Sequence, residues 1–377
     1  MVERDGIVME RQDQGLETKA ESGEKDRVNR RSVLGALAAT GVGASTSVWL
    51  TGEVGAVSSD QVTIVQGTKL IEQSDGTREV IDIKKEVPAD WYYDLQQAKT
   101  AFERRNRHLL RTPGVIETTL SAGRYGGRNA RIEVKLSPEA ADQDGTTLDE
   151  VRGDIPTRID GIEVKVQTID RLPKLTNCYE HPSNPPEAGV QVETSDGWGS
   201  LGGRAYKNGH WHFMTAEHLW GSNPDVLYID GDIIGDSEDW DCWDDFAALN
   251  PLNGWDPTDG IAGTSIYVTA QMSEDGIWDV EAAGETLSKQ GARTCYTEGT
   301  CKGIGSALVY DSNCNNRDKQ VKWGTYNDIE QGDSGALVYK PNWNGHDWAV
   351  SLVAAESDIV FGTGCFHIDN LHGYHWD

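Results

Sequence analysis

Apolar and polar residues alternate along residues 61–65 (Gln-Val-Thr-Ile-Val) and again along 77–83, a period of two that predicts half-buried strands. The period lengthens between residues 91 and 111. There Leu95, Ala98, Phe102, Leu109 and Leu110 are spaced for one face of a basic amphipathic helix, stopped by Pro113-Gly114. Residues 114–120, 130–136 and 159–166 return to the strand pattern, so 57–176 predicts a small α/β unit. A turn-rich linker with Pro182, Pro185 and Pro186 spans 177–188. From Gly189 to the end, short apolar runs alternate with Gly, Asn and Asp turns, and no helix of three turns stands out. That pattern is all-β, with room for two barrels in 189–377.

Composition sharpens this division. The formal net charge is −27, and from Cys178 onward 32 Asp and Glu face only 9 Lys and Arg. Such a field repels phosphates and anionic lipids, which excludes nucleic-acid and membrane-surface partners. It suits molar salt, where the Debye length shrinks to roughly 3 Å, and points to a halophilic, archaeal source. The same stretch holds 11 of the 13 tryptophans, so its acidity does not mean disorder. Residues 1–28 are polar and aperiodic and predict disorder. Asn29-Arg30-Arg31-Ser32 and the Ala/Gly-rich run after it resemble a twin-arginine export signal, so 1–56 reads as a disordered start plus signal. The expectation is a secreted protein with no membrane association beyond that signal.

Six cysteines, all from Cys178 on, fit disulfides in an exported domain. Cys295 and Cys301 are close enough for a short staple, which would leave Cys178–Cys242 and Cys314–Cys365; the connectivity stays open. No Cys-x-x-Cys spacing points to zinc, and neither a metal nor a cofactor is expected.

Three motifs carry chemistry: Thr215-Ala216-Glu217-His218, Asp245-Phe246-Ala247-Ala248-Leu249 and Gly332-Asp333-Ser334-Gly335. The order His, Asp, Ser separates this arrangement from the other triad orders. With these motifs, residues 189–377 resemble chymotrypsin-fold serine proteases, nearer to the compact streptogrisin-like microbial branch than to vertebrate trypsins. The resemblance implies an all-β two-barrel catalytic domain after the α/β unit. It also implies peptide-bond hydrolysis of protein or peptide substrates through an acyl-enzyme. His218 would be the base, Asp245 its orienting carboxylate and Ser334 the nucleophile, with the N–H groups of Gly332 and Ser334 facing the oxyanion. His212 and Asp244 are the rival assignments.

The resemblance also suggests how substrate binds. Asp328 lies six residues before Ser334, where trypsins place the carboxylate that receives Arg or Lys. The strand through Ala354, Ala355 and Glu356 would bind the substrate backbone, with Gly364 on the pocket wall. The chain departs from the family at Glu217, at Leu219 and Glu330 where cysteines are familiar, and in lacking an Ile-Val-Gly-Gly start. Activation by a new N-terminal ammonium on Asp333 is therefore not expected. The stretch from Ile155-Pro156 to Val164 resembles the end of ferredoxin-like modules that precede some microbial proteases. That implies a pro-region that assists folding or blocks the site; the alternative is a permanent structural or docking domain. The alternative to a protease is an inactive homologue that binds peptides.

Overall fold

The structure, a computed structural model, describes residues 60–377 apart from 128, 144, 169–183, 222, 309–313, 315 and 357–359. The chain divides into two units, Met1–Ser58 and Ser59–Asp377. The expectations for the disordered start, the export signal and the first part of the linker lie outside the described residues.

Seven antiparallel strands form the first sheet, in the spatial order Trp198–Ser200, Gln191–Glu193, Val226–Ile229, Asp232–Asp241, Phe246–Pro251, His210–Thr215 and Arg204–Lys207. It closes on itself: Gly202 N–H donates to Met214 O at 2.7 Å and Met214 N–H donates to Gly203 O at 3.0 Å. The unbroken apolar run Phe246-Ala247-Ala248-Leu249 follows from having both faces covered. Ala247 and Leu249 pack inside this barrel with Phe213, Leu227 and Ile234. Phe246 and Ala248 face Leu337, Tyr339, Tyr374 and Trp376 in a second apolar cluster between the barrels.

Thr286–Gly291, Cys295–Leu308, Asn316–Trp323, Val360–Thr363, His346–Leu352 and Leu337–Trp343 make the second barrel. A bridge between Ser351 and Gly364 and the bond from Ala354 N–H to Phe361 O (3.1 Å) close it. This is the two-barrel architecture that the resemblance implies.

Residues 60–168 do not stand apart. The hairpin Gln61–Glu72/Arg78–Pro88 pairs at Gly67 with Met272 of the strand Ala270–Met272. The strand Val115–Ser121 pairs with the second barrel from Leu120↔Ile304 to Glu117↔Ala307, and carries Arg131–Leu136 and, parallel to it, Ile162–Thr168. Helix Ala89–Leu110 covers these strands through Trp91, Leu95, Ala98, Phe102 and Leu109, with Asp90 in its first turn and Arg107 and His108 in its last, where they complement the helix dipole. One apolar cluster runs from Ile64 and Leu95 through Trp278 and Trp323 to Phe366.

Two expectations are corrected. The C-terminal part contains a helix of ten residues, Glu274–Ala283, capped by Ser273 and by Gly284 in the left-handed conformation. The short staple does not form: Cys242 is joined to Cys314, Cys295 is also disulfide-bonded, and Cys301 and Cys365 are free and buried. Cys295 and Cys301 stand six residues apart on the one strand Cys295–Leu308, a span of roughly 20 Å that a disulfide cannot bridge, and Cys301 Sγ lies 3.8 Å from Ile277 O.

Candidate active site

The strand His210–Thr215 ends at Thr215 and a single 3-10 turn, Glu217–Leu219, lifts His218 off it. The backbone N–H of His218 donates to Asp245 Oδ1 at 3.1 Å, and its ring Nδ1 lies 2.9 Å from both carboxylate oxygens. A carboxylate on Nδ1 fixes that proton there and leaves Nε2 as the basic nitrogen. The imidazole is 32% exposed and the carboxylate fully buried. Asp245 itself has φ of 50°, a left-handed conformation that Asp tolerates better than most residues. Burial would raise its pKa, but Arg317 and then His218 outweigh that and hold it below the usual carboxylate range.

Asp244 points elsewhere. Its carboxylate lies 3.1 Å from His367 Nε2 and 2.9 Å from His372 Nε2, both on the C-terminal helix Cys365–His372. The adjacent aspartates therefore serve opposite sides of their loop. His212 is buried in the strand, edge-on to the Tyr374 ring at 5.2 Å, and burial pushes its pKa down. Glu217, half-buried beside the pair, is pushed up by burial and by Asp245.

Ser334 sits half-buried in a turn held by both barrels. Ser200, at the end of the strand Trp198–Ser200, donates from Oγ to Gly332 O (2.8 Å) and from its N–H to Ser334 O (2.8 Å). Its own carbonyl accepts from Thr215 Oγ1 at 2.8 Å, three residues before His218. The histidine strand and the serine turn thus share one anchor. Gly332 has φ of 108°, and a Cβ there would lie 2.2 Å from the Trp198 ring. A Cβ on Gly335 would lie 2.2 Å from Thr215 Oγ1, so its close approach is to the first barrel. Among the described residues the N–H groups of Gly332 and Ser334 donate to no protein acceptor, and no hydrogen bond joins Ser334 Oγ to His218.

Asp333 is buried under this turn. It accepts from the N–H groups of Glu330 (3.0 Å), Arg293 (2.9 Å) and Thr294 (3.0 Å), and Lys289 Nζ lies 3.1 Å away with both side chains fully buried. Burial draws the Lys289 pKa down while Asp333 acts against it. Lys289 is thus the buried basic partner of Asp333.

The substrate-side candidates are scattered in role. Asp328 ends a 3-10 turn, and its Oδ2 accepts from Thr325 N–H at 2.7 Å and Thr325 Oγ1 at 3.0 Å, so that carboxylate caps its own turn. Ala354 is buried, and Ala355 and Glu356 form a short strand whose described pairing is with Val360–Thr363 alone. Gly364 is the N-cap of the C-terminal helix. Sequence reasoning missed Ser200, Lys289 and Arg317. For the two cations the sequence held no signal, because neither the charge count nor the spacing says which Lys or Arg folding buries.

No protein-family model and no curated protein matches the chain. Solved structures similar to it include a glutamic-acid-specific serine protease, 16% identical over 50% of this chain and 99% of that one with a TM-score of 0.42. A Nocardiopsis protease is 17% identical over 50% and 97% (TM-score 0.41), and Thermobifida fusca protease A 16% over 50% and 96% (TM-score 0.41). None of these likenesses is strong enough to carry an activity to this chain.

Proposed function

We propose that the chain is a serine endopeptidase working through His218, Asp245 and Ser334. The observation that carries this reading is the buried Asp245 carboxylate on His218 Nδ1, with the Gly332–Gly335 turn tied by Ser200 to the strand that delivers the histidine. In the reaction Ser334 Oγ attacks the scissile carbonyl carbon as its proton passes to His218 Nε2. The carbonyl oxygen takes the charge against the Gly332 and Ser334 N–H groups. Collapse expels the amine with the proton from His218, and water reverses the sequence on the acyl-enzyme. Catalytic hydrogen bonds often tighten only when substrate arrives, so the serine–histidine bond belongs to the loaded state.

The same reading makes it a secreted enzyme of a salt-rich medium. A trypsin-like preference for Arg or Lys is its weakest part, because Asp328 is engaged with Thr325. A fluorophosphonate probe in molar KCl tests the proposal. Wild type is expected to label at one serine and Ser334→Ala not at all. Folded wild type that takes no label would favour the inactive peptide-binding homologue.

A further inference from the structure

Asp245 has a second partner that the triad does not require. Arg317 Nη1 donates to Asp245 Oδ2, an oxygen that also lies 2.9 Å from His218 Nδ1, with the arginine side chain 2% exposed and the carboxylate 0%. A guanidinium is costly to bury unless its hydrogen bonds are met. Here Nε meets no partner, and Asp245 is the ion pair that justifies the burial. Arg317 comes from the strand Asn316–Trp323 of the second barrel and Asp245 from a loop of the first, so the pair crosses the domain boundary. The Cys242–Cys314 disulfide crosses at the same place, three residues before each partner. Near the histidine stand Glu217 on its own turn and, acting on it, Asp241, Asp245 and Arg317, while Asp244 turns away to His367 and His372.

We propose that Arg317 is a positioning residue of this site: it holds the Asp245 carboxylate turned onto the imidazole of His218. The inference rests on the hydrolase reading above. The positive charge neutralises Asp245 and opposes a second positive charge on the ring.

The test is the pH dependence of fluorophosphonate labelling per folded molecule, with folding followed by tryptophan circular dichroism. Arg317→Gln is expected to move the acid limb to higher pH and to slow labelling on the plateau by about 10²-fold through lost orientation. Arg317→Lys keeps the charge without the fork, so its limb stays with wild type while its plateau falls. If Arg317→Gln does not fold, Arg317→Lys decides alone: a limb shifted upward overturns the proposal. A purely structural role would lower the folded fraction and leave the limb unmoved in both variants, which also overturns it. In either case wild-type labelling leaves the hydrolase reading standing. Folded wild type that takes no label removes both.

Discussion

Asp244 accepts from two imidazoles on the C-terminal helix, and those bonds outweigh the burial that would raise its pKa. Its folded pKa is therefore depressed. A depressed carboxylate contributes stability that is present above the unfolded value of about 3.8 and is lost as pH falls through the folded one. Asp244→Asn is expected to cost about 1–3 kcal/mol near neutrality and to flatten the loss of melting temperature below pH 4, as read by thermal unfolding across pH 2–7. A variant with wild-type acid sensitivity would show that the histidine contacts contribute nothing. Asp244 and Asp245 diverge because they stand in a turn, Asp245 at a φ of 50°, and not by the alternation of an extended segment. The partners Arg317 and Lys289 were not legible in the sequence. Each lies 44 or more residues from its carboxylate, at a distance where no local period or turn preference constrains pairing.

The two longer helices show why one element could be read and another could not. Ala89–Leu110 has a wet side and a dry side, so its apolar stripe appears in the spacing. Glu274–Ala283 is buried almost all round, from Gly276 through Ala282, and its acids Asp279 and Glu281 look like surface residues in the sequence. They are instead hydrogen-bonded inside: Asp279 to Gln66 (2.8 Å) and Lys85, and Glu281 to Ala122 N–H (2.8 Å) and Ser121. Gly276, which counts against a helix, is required because a Cβ there would lie 2.0 Å from Gln66 O. Ser273 starts this helix by accepting from Gly276 N–H at 3.1 Å, and its hydroxyl donates to Val65 O. Ser273→Ala is expected to destabilise by about 1–2 kcal/mol, measured as a lower denaturant midpoint at unchanged slope. No change would mean that the helix is set by burial alone.

At the scale of the whole molecule, the question is whether residues 60–168 are a detachable helper or part of the folded body. A discarded pro-region should leave the barrels able to stand alone. Here Gly67 packs on Trp348, Lys322 and Lys135 share buried Glu117 (3.6 and 3.2 Å), and Asn106 Nδ2 donates to Ser306 Oγ at 2.6 Å. Stripping the module away would open an apolar face and leave Asp279 without Lys85, its 2.6 Å ion-pair partner. Glu281 adds a pH signature to the same junction. Burial raises its pKa to about 7, so the stability tied to its protonated form is full below the usual 4.5 and is lost as pH rises through 7. A chain of residues 189–377 alone is therefore expected to show no cooperative unfolding transition in molar KCl and no fluorophosphonate labelling, while residues 57–377 show both. If the short chain unfolds cooperatively and labels at the rate of the long one, the module is dispensable once folding is complete and the shared core is not what holds the second barrel together.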